Sequence, residues 1–405
     1  KRVSLNMLNG LKVMKLIKVG FAIDARWIGG FNYYRNLLLA ISYIPERKIE
    51  PVIFLGKKTS DKILSGLPDF QVIRSSILDK YSLAWFLNKI LWKLLGRNML
   101  LNRLLIKNDV QVLSHTLPDR SQKIKTIGWI ADFQHMHLPS MFSNLELKAR
   151  DKQFKKIAKF CDLVIVSSQD AYKDFSNFTP RYIKKVRVLN FVSAPSTIDL
   201  PSLETLKEKY SFNCPYFYLP NQFWKHKNHS LVIDAINDLK KEWPGVLILA
   251  SGSQQDYRDS NYYSHLMGKV KKYGISSNFL SLGIIPYSDV TSLMLNSIAV
   301  INPSLFEGWS STVEEAKSLG VTLVLSDINV HREQANGDAI FFPPSSASCL
   351  ANKLSEFMTN KKITAAHQIS EYNLENNNQR LKIYGSTYQD IIVELIKKNV
   401  PPLQR

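Results

Sequence analysis

The sequence predicts an α/β protein made of two doubly wound domains, each a parallel β-sheet covered by helices. The chain has 405 residues, more than one hydrophobic core ordinarily organises. Hydrophobic residues make up 45% of it, which supplies enough apolar side chains for two cores. Short apolar runs alternate with helical stretches in both halves of the chain. This alternation is typical of parallel sheets with helices on their faces.

The first half contains seven apolar runs that predict strands, at 17–23, 51–55, 71–74, 111–114, 125–130, 162–166 and 186–190. Helices are predicted between them, among others at 32–43 and 146–160. The basic segment before the first strand has neither the apolar stretch nor the cleavage site of a secretory signal. The first half therefore predicts one complete domain, over residues 1–200.

The second half repeats the pattern, with strands predicted at 216–219, 245–250, 279–282, 298–302, 321–325 and 339–342. Helices are predicted at 228–241, 262–273, 288–296, 312–319, 348–358 and 378–398. Proline and serine interrupt the periodicity across 193–213, so the boundary is expected there. We predict a second domain over 201–380 and a helix in 381–405, after an asparagine-rich turn at 376–378, that could return to the first domain.

The charge is concentrated in the first half of the chain. Residues 1–200 hold 33 Lys and Arg against 15 Asp and Glu, whereas the whole chain has a formal net charge of +19. This asymmetry favours a polyanionic partner, that is, a membrane surface, a nucleic acid or a phosphorylated substrate, over a charge that serves only solubility. The three cysteines, Cys161, Cys214 and Cys349, are far apart, which favours reduced thiols in the cytoplasm.

The segment 302–316 is the strongest functional motif. It follows a predicted strand and precedes a helix, so its loop lies at the carboxyl end of a parallel strand, where doubly wound folds bind ligands. The backbone N–H groups and the positive dipole end at the start of this helix favour binding of a diphosphate. Glu307 and Glu315 lie eight residues apart in this segment. Thr312 and Glu315 also fit a capping box, which would give Glu315 a structural role.

These residues resemble the retaining glycosyltransferases of the GT-B fold, family GT4, whose pattern places two Glu eight residues apart beside Pro-Ser and Gly. The resemblance implies two Rossmann-like domains facing a central cleft. It implies that Glu307 meets sugar hydroxyls and Glu315 the ribose, with Gly308, Trp309, Ser310, Ser311 and Thr312 around the donor. Ser310 stands where the family often has a second glycine, which puts the loop geometry and the choice of donor in question.

A second segment, 219–229, resembles the loop in which that family holds the donor diphosphate with an Arg and a Lys. Lys227 matches the Lys, whereas Gln222 stands at the Arg position and removes one cation. Lys225 is expected to compensate. His226 and His229 lack the spacing of a paired metal site, so we interpret them as packing or hydrogen-bonding residues.

Two loops of the first domain complete the predicted site. Gly29 and Gly30 form a turn that permits close backbone approach, or that merely joins a strand to a helix. After the strand at 125–130, Asp132 and Pro139 match the family, but Ala131 stands where many relatives have His. The role of that His either passes to His135 or His137 or is absent, and we predict that His135 is the catalytic residue. His115 is a further candidate, and residues 327–333 either border the cleft or are structural.

The segment 80–97 predicts an amphipathic helix. Lys89, Lys93 and Arg97 are spaced four apart on one face, leucines and other apolar residues occupy the other, and Trp85 and Trp92 flank it. This pattern suits an anionic membrane surface; a helix packed on its own sheet is the alternative. No apolar stretch is long enough to span a bilayer.

Together these features predict a metal-independent hexosyltransferase, and the family resemblance implies that it retains the configuration of the anomeric carbon. It would use a nucleotide-diphospho-sugar as co-substrate, without a cofactor, and a glycan or lipid-linked acceptor of bacterial surface polysaccharide such as lipopolysaccharide. Catalysis is assigned to Glu307, Lys227 and His135. We expect a cytoplasmic protein attached peripherally to the inner face of the membrane. The alternatives are a nucleotide-sugar epimerase of the same fold and a basic nucleic-acid-binding protein, for which no recognition motif is present.

Overall fold

The computed structural model describes residues 15–24, 28–95, 98–116, 123–359 and 371–397. Among them, two compact units are formed: one from parts of 1–129, 156–165 and 381–405, the other from 130–155 and 166–380. The predicted domain boundaries at 200 and 380 stay a prediction.

The described residues form two parallel β-sheets, as predicted. The first has the strand order β3-β2-β1-β4-β5-β6-β7 and the second the order β10-β9-β8-β11-β12-β13. The strands of the first sheet are β1 Ile17–Ala22, β2 Ile49–Leu55, β3 Gln71–Arg74, β4 Val112–Ser114, β5 Lys125–Ile130, β6 Leu163–Val166 and β7 Val186–Val188. Those of the second are β8 Phe217–Leu219, β9 Ile248–Ser251, β10 Phe279–Gly283, β11 Val300–Asn302, β12 Leu323–Ser326 and β13 Ile340–Phe342.

Helices connect most of the consecutive strands, because parallel neighbours need a crossover connection. They are α1 Ile28–Ser42, α2 Leu83–Leu95, α3 Met99–Lys107, α4 Gln134–His137, α5 Asn144–Phe160, α6 Gln169–Phe178, α7 Leu203–Tyr210, α8 His229–Leu239, α9 Tyr262–Lys272, α10 Tyr287–Leu295, α11 Ser311–Leu319, α12 Asn329–Ala335, α13 Ala347–Thr359 and α14 Glu371–Lys397. Short 3-10 helices occupy 61–66, 76–78, 139–141, 180–185 and 225–227.

The second sheet is buried on both faces, which explains its apolar strands. Phe217 and Leu219 of β8 enter one hydrophobic core, and Tyr218 between them enters the other. Successive side chains of a strand point to opposite faces, so a strand covered on both sides is apolar throughout. The strands therefore hold their carboxyl-end loops on a rigid base.

Two predicted segments differ from the structure. The prediction of a turn at 376–378 is wrong, because α14 begins at Glu371 and runs through it. Asn377 donates from Nδ2 to the Ser318 carbonyl, and Arg380 pairs with Glu314, so contacts with α11 stabilise helix where the local sequence favours a turn. Within the predicted boundary region 193–213, residues 203–210 form α7, capped by the Ser202 hydroxyl.

Candidate donor-binding site

The loop after β11 is organised by a buried polar network around Asn302, the last residue of the strand. Asn302 is completely buried. Its Nδ2 donates to Ser310 Oγ at 2.9 Å, and its Oδ1 accepts from Ser304 Oγ at 2.6 Å. Asn221, after β8, donates to the same Oδ1 at 3.3 Å. One side chain thus fixes both ends of the loop and joins it to the neighbouring strand.

Glu307 is a buried carboxylate held by donors on one of its oxygens. Lys227 Nζ lies 2.6 Å from Oε1, and Ser304 Oγ lies 2.7 Å from the same oxygen. Burial raises the pKa of Glu307, but the charge of Lys227, with contributions from His331 and His226, outweighs it and lowers the pKa to about 2. Glu307 is therefore ionised at neutral pH. Among the described residues the hydrogen bonds converge on Oε1, which leaves Oε2 for a ligand.

Helix α11 begins one residue before Thr312, and this excludes the predicted capping box. The N-cap is Ser310, whose Oγ accepts from the amide of Val313. The Ser310 amide donates to Oε1 of Gln334 at 3.1 Å. In a capping box this hydrogen bond would be accepted by the side chain of a Glu three residues after the N-cap. Thr312 instead directs its hydroxyl to the Pro220 carbonyl at 3.2 Å. Ser310 has an ordinary negative φ, so this loop does not need the second glycine of the family.

The adjacent residues Glu314 and Glu315 have different surroundings. Glu314 is buried, and Arg380 and Gln334 contact its carboxylate. Glu315 is half-buried, and the Tyr287 hydroxyl donates to its Oε1 at 2.9 Å. Glu314 thus anchors α11, whereas the side chain of Glu315 stays partly accessible, as a ligand-binding carboxylate requires.

The segment after β8 places Lys227 beside the loop that contains Glu307. Residues 225–227 form a 3-10 turn that ends at Asn228, which has a positive φ of 56°. The Asn228 side chain donates to the carbonyl of Pro303 at 3.2 Å, which fixes the turn beside the Glu307 loop. Lys225 is exposed at this turn.

Gln222, at the predicted Arg position, has a local structural contact. Its Oε1 accepts from the Ser253 amide at 2.8 Å, so it links the loops after β8 and β9. Gly252 lies beside it with a φ of 147°, and a Cβ there would lie 2.5 Å from the Asn221 carbonyl oxygen. Only glycine permits this approach of the two loops.

Arg258, which the sequence analysis missed, is enclosed between two loops. It donates to His226 Nδ1 at 3.2 Å, to Gln134 Oε1 at 3.2 Å and to Asp256 Oδ1 at 3.1 Å. Burial lowers the pKa of His226 to about 3. Neutral His226 accepting at Nδ1 carries its proton on Nε2.

The structure explains why the first glycine of the motif, Gly308, has no room for a side chain. A Cβ at Gly308 would overlap the Ala131 carbonyl oxygen and lie 2.9 Å from the Asp132 Cβ. Asp132 accepts from the Gln134 amide at 3.0 Å and lies 3.6 Å from the Arg150 guanidinium. Trp309 donates from its indole to the Phe191 carbonyl at 2.9 Å, and Ser311 is exposed at the helix start.

One comparison with known families matches the second half of the chain. Residues 205–397 match the family model of the group 1 glycosyl transferases. The match contains the Glu307 loop, the lysine turn and α11. The comparison with curated proteins found no significant match.

Solved structures resemble nearly the whole chain. A glycosyltransferase from Rickettsia africae ESF-5 is 15% identical, with a TM-score of 0.65 over 96% of this chain and 100% of that one. Anabaena Alr3699/HepE in complex with UDP and glucose is 16% identical, with a TM-score of 0.65 over 94% and 100%. Sucrose-phosphate synthase from Thermosynechococcus elongatus is 13% identical, with a TM-score of 0.60 over 94% and 98%. The GT-B fold prediction is confirmed.

The two candidate histidines of the segment after β5 have opposite surroundings. His135 is 3% exposed, bonds Asp151 at 3.0 Å, and is surrounded by Phe133, Phe154 and Phe178. His137 is 43% exposed at its side chain and bonds Asp174. Residues two apart on a helix point in nearly opposite directions, so α4 separates them. The position of His135 in a core argues against the catalytic role predicted for it.

The side chains of Asp327, His331, Arg332 and Glu333 make contacts within the protein. Arg332 pairs with Asp327, and Glu333 accepts from the Gln169 amide at 2.9 Å at the start of α6. His331 is completely buried and bonds the Ser326 carbonyl through Nδ1 at 2.9 Å. Gly29 and Gly30 lie in the first turn of α1, while Arg26 and Trp27 lie outside the described residues.

His229 and His115 are packed into aromatic surroundings. His229 stacks on Phe223 with ring centroids 4.4 Å apart, which agrees with a packing role. His115 contacts the Tyr33 hydroxyl at 2.8 Å and lies 5.0 Å from its ring centroid. Burial lowers the pKa of both histidines to about 3. Within the described residues no group of three or more His, Cys, Asp or Glu could hold a metal ion.

Proposed function

We propose that the protein transfers a glycosyl unit from a nucleotide-diphospho-sugar to an acceptor hydroxyl. The observation that carries this proposal is the buried Glu307–Lys227 pair at the carboxyl end of β11, inside the group 1 glycosyl transferase match. An ionised carboxylate with one uncommitted oxygen suits sugar hydroxyls, and a neighbouring lysine suits a diphosphate. The solved complex of Alr3699/HepE with UDP-glucose supports a donor of this class.

Each residue of the loop has a distinct proposed role. Glu307 accepts hydrogen bonds from the donor sugar, and Glu315 accepts them from the ribose diol. Lys227 and the exposed Lys225 face the diphosphate, together with the amides at the start of α11. As the bond between the sugar and the phosphate breaks, negative charge grows on the diphosphate, and these groups stabilise it without a metal. Retention of configuration follows the family resemblance.

A panel of nucleotide-sugars, read by release of nucleoside diphosphate with water as the minimal acceptor, tests the proposal. We expect one donor to turn over, and the Glu307→Gln variant to lose turnover while it still folds. Proton NMR of the product identifies the anomer and tests retention. The proposal is wrong if the folded protein neither binds nor turns over any donor in the panel.

We further propose that the acceptor is lipid-linked and that α2 attaches the protein to an anionic membrane surface. The exposed face of α2 is apolar: Leu83, Phe86, Leu87, Ile90 and Leu94 are between 39% and 75% exposed. Their spacing places them on one side of the helix. Lys89 and Lys93 are exposed along the edge of this face.

The same helix corrects part of the sequence prediction. Trp85 and Trp92 are half-buried on the side of α2 away from the apolar face, not at its borders. The helix packs against α3 and the 3-10 helix 76–78, and its outward apolar face argues against the alternative that this face packs on its own sheet. Arg97 lies outside the described residues. None of the described helices is long and apolar enough to cross a membrane.

Sedimentation with vesicles tests the membrane proposal. The protein should bind vesicles that contain phosphatidylglycerol, and added salt should weaken the binding. Each basic residue near an anionic surface contributes about 1 kcal/mol, so Lys89→Glu with Lys93→Glu should weaken binding by roughly 30-fold or more. The same reversal at the exposed Lys271 and Lys272 of α9 is the matched control. Equal binding to neutral and anionic vesicles would overturn the proposal.

A further inference from the structure

A cavity opens beside the turn formed by residues 225–227. Its volume is about 450 Å³, enough for roughly one or two sugar rings. One wall is the segment 140–146, which ends in the first turn of α5, and the other is the segment 256–259 after β9. Lys225 completes the lining, whereas Glu307 and Glu315 are not part of it. The cavity therefore adjoins the proposed donor site but is distinct from it.

Arg258 is held in a fixed position at this cavity. Its side chain is 9% exposed, and three of its five N–H groups donate to acceptors of the protein. No acceptor in the described part of the chain is bonded to the other two. The guanidinium carbon lies 5.3 Å from the ring centroid of Tyr257, which also lines the cavity. A planar cation that its neighbours hold in place is pre-organised to bind a ligand with the donors that remain.

Other side chains of the lining also have polar atoms without a partner. Glu146 accepts from the Ser143 amide on Oε2 at 2.8 Å, and its Oε1 accepts no hydrogen bond from the described residues. Asp259 accepts from the Asn261 amide on Oδ1 at 3.2 Å, which leaves Oδ2. Lys225 is exposed, and its ammonium has no hydrogen-bond partner within the described ranges. The cavity is therefore lined by both donors and acceptors that a ligand can pair.

This lining favours a neutral ligand that carries several hydroxyl groups. It contains three carboxylates against two cations, so it has no excess of positive charge that would favour a phosphate. Each hydroxyl both donates and accepts, so neighbouring hydroxyls of a sugar can pair carboxylates and cations together. Tyr257 is 69% exposed, and its ring offers an apolar face to the C–H groups of a sugar ring.

We propose that this cavity binds the acceptor and that the part of the acceptor it recognises is a sugar. The inference rests on the proposed function and names the class of its acceptor. Lys225 borders both the cavity and the proposed position of the diphosphate, so an acceptor hydroxyl in the cavity approaches the donor from the side of its leaving group. The proposed retention requires that side, because the new bond then forms on the face of the anomeric carbon that the phosphate occupied.

Saturation-transfer NMR with phenyl glycosides of glucose, galactose, mannose and N-acetylglucosamine tests the inference. The protein is first saturated with UDP, so that a glycoside signal reports a site other than the nucleotide site. We expect at least one glycoside to bind, and Glu146→Gln to weaken its binding about tenfold or more, because a charged acceptor is lost. Gln can still accept the hydrogen bond from Ser143 at the start of α5, so this variant should fold. Tyr257→Ala should also weaken binding, whereas Glu208→Gln, at an exposed carboxylate of α7, is the matched control.

Kinetics with the best donor from the panel provide the second measurement. The glycoside that binds should divert turnover from water to the sugar, and Glu146→Gln should raise the KM for the glycoside rather than the KM for the donor. The inference is overturned if no glycoside binds the protein, or if Glu146→Gln and Tyr257→Ala bind it like the wild type. A rise in the donor KM alone would also overturn it, because the cavity would then hold the donor sugar. Failure of the wild-type protein to bind UDP and to turn over any donor would overturn the proposed function instead, and glycoside binding without UDP would still test the cavity.

Discussion

Replacing Lys227 by Met should destabilise the protein as well as inactivate it, because Glu307 would remain buried without its partner. The two charges are 2.6 Å apart, with side chains 14% and 9% exposed. Their attraction at an effective dielectric constant of 20 is about 6 kcal/mol before desolvation is subtracted. Removing one partner of a buried pair costs about 3–5 kcal/mol. Because Ser304 Oγ and Asn302 Nδ2 still contact the Glu307 carboxylate, we expect the free energy of unfolding to fall by about 3 kcal/mol, the lower end of that range.

The double variant Lys227→Met with Glu307→Gln separates stability from activity. It removes both charges, so the free energy of unfolding should recover by about 2 kcal/mol, while donor turnover stays lost. Urea denaturation and nucleoside diphosphate release measure the two quantities on the same samples. An unchanged free energy of unfolding in Lys227→Met, or a double variant no more stable than the single one, would refute this reasoning.

Three further perturbations test other parts of the site. Glu315→Ala should weaken UDP binding by about 1.5–3 kcal/mol in titration calorimetry with little loss of stability, whereas Glu314→Ala should lower the melting temperature. Gly308→Ala should reduce donor turnover at least tenfold, because its Cβ displaces the loop; wild-type kinetics would contradict the close approach. The unfolded chain protonates His226 and His229 below about pH 6.5, whereas burial keeps them neutral in the folded protein down to about pH 3. Stability should therefore fall on acidification in that window, by about 1.4 kcal/mol per pH unit for each, and urea midpoints at pH 7, 6 and 5 would contradict this if they agreed.

The sequence predicted the features that depend on neighbouring residues. The order of strands and helices, and the loop between β11 and α11, follow from local apolar periodicity and from Gly and Ser positions. Glu307 stood out for the same reason, since its strand, loop and helix are contiguous in sequence. These signals are short-range, so one chain suffices to detect them.

The parts that the sequence did not predict depend on residues distant in the chain. Ser310 is the cap of α11 because Gln334, 24 residues later, bonds its amide. His137 differs from His135 because their partners, Asp174 and Asp151, lie in different helices. Arg258 had no detectable signal, since only the folded chain brings its acceptors to it. Such pairings are fixed by tertiary contacts, which local patterns do not encode.

The network around Asn302 has a consequence for how this loop can change in evolution. Asn302 contacts Ser304, Ser310 and Asn221, so a substitution at any of these positions leaves a buried polar atom without its partner. The effects of changes within the network are therefore strongly non-additive, and a second substitution can be tolerable only after a first one. Accordingly, drift in this loop should proceed through paired replacements, while exposed neighbours such as Ser311 vary independently.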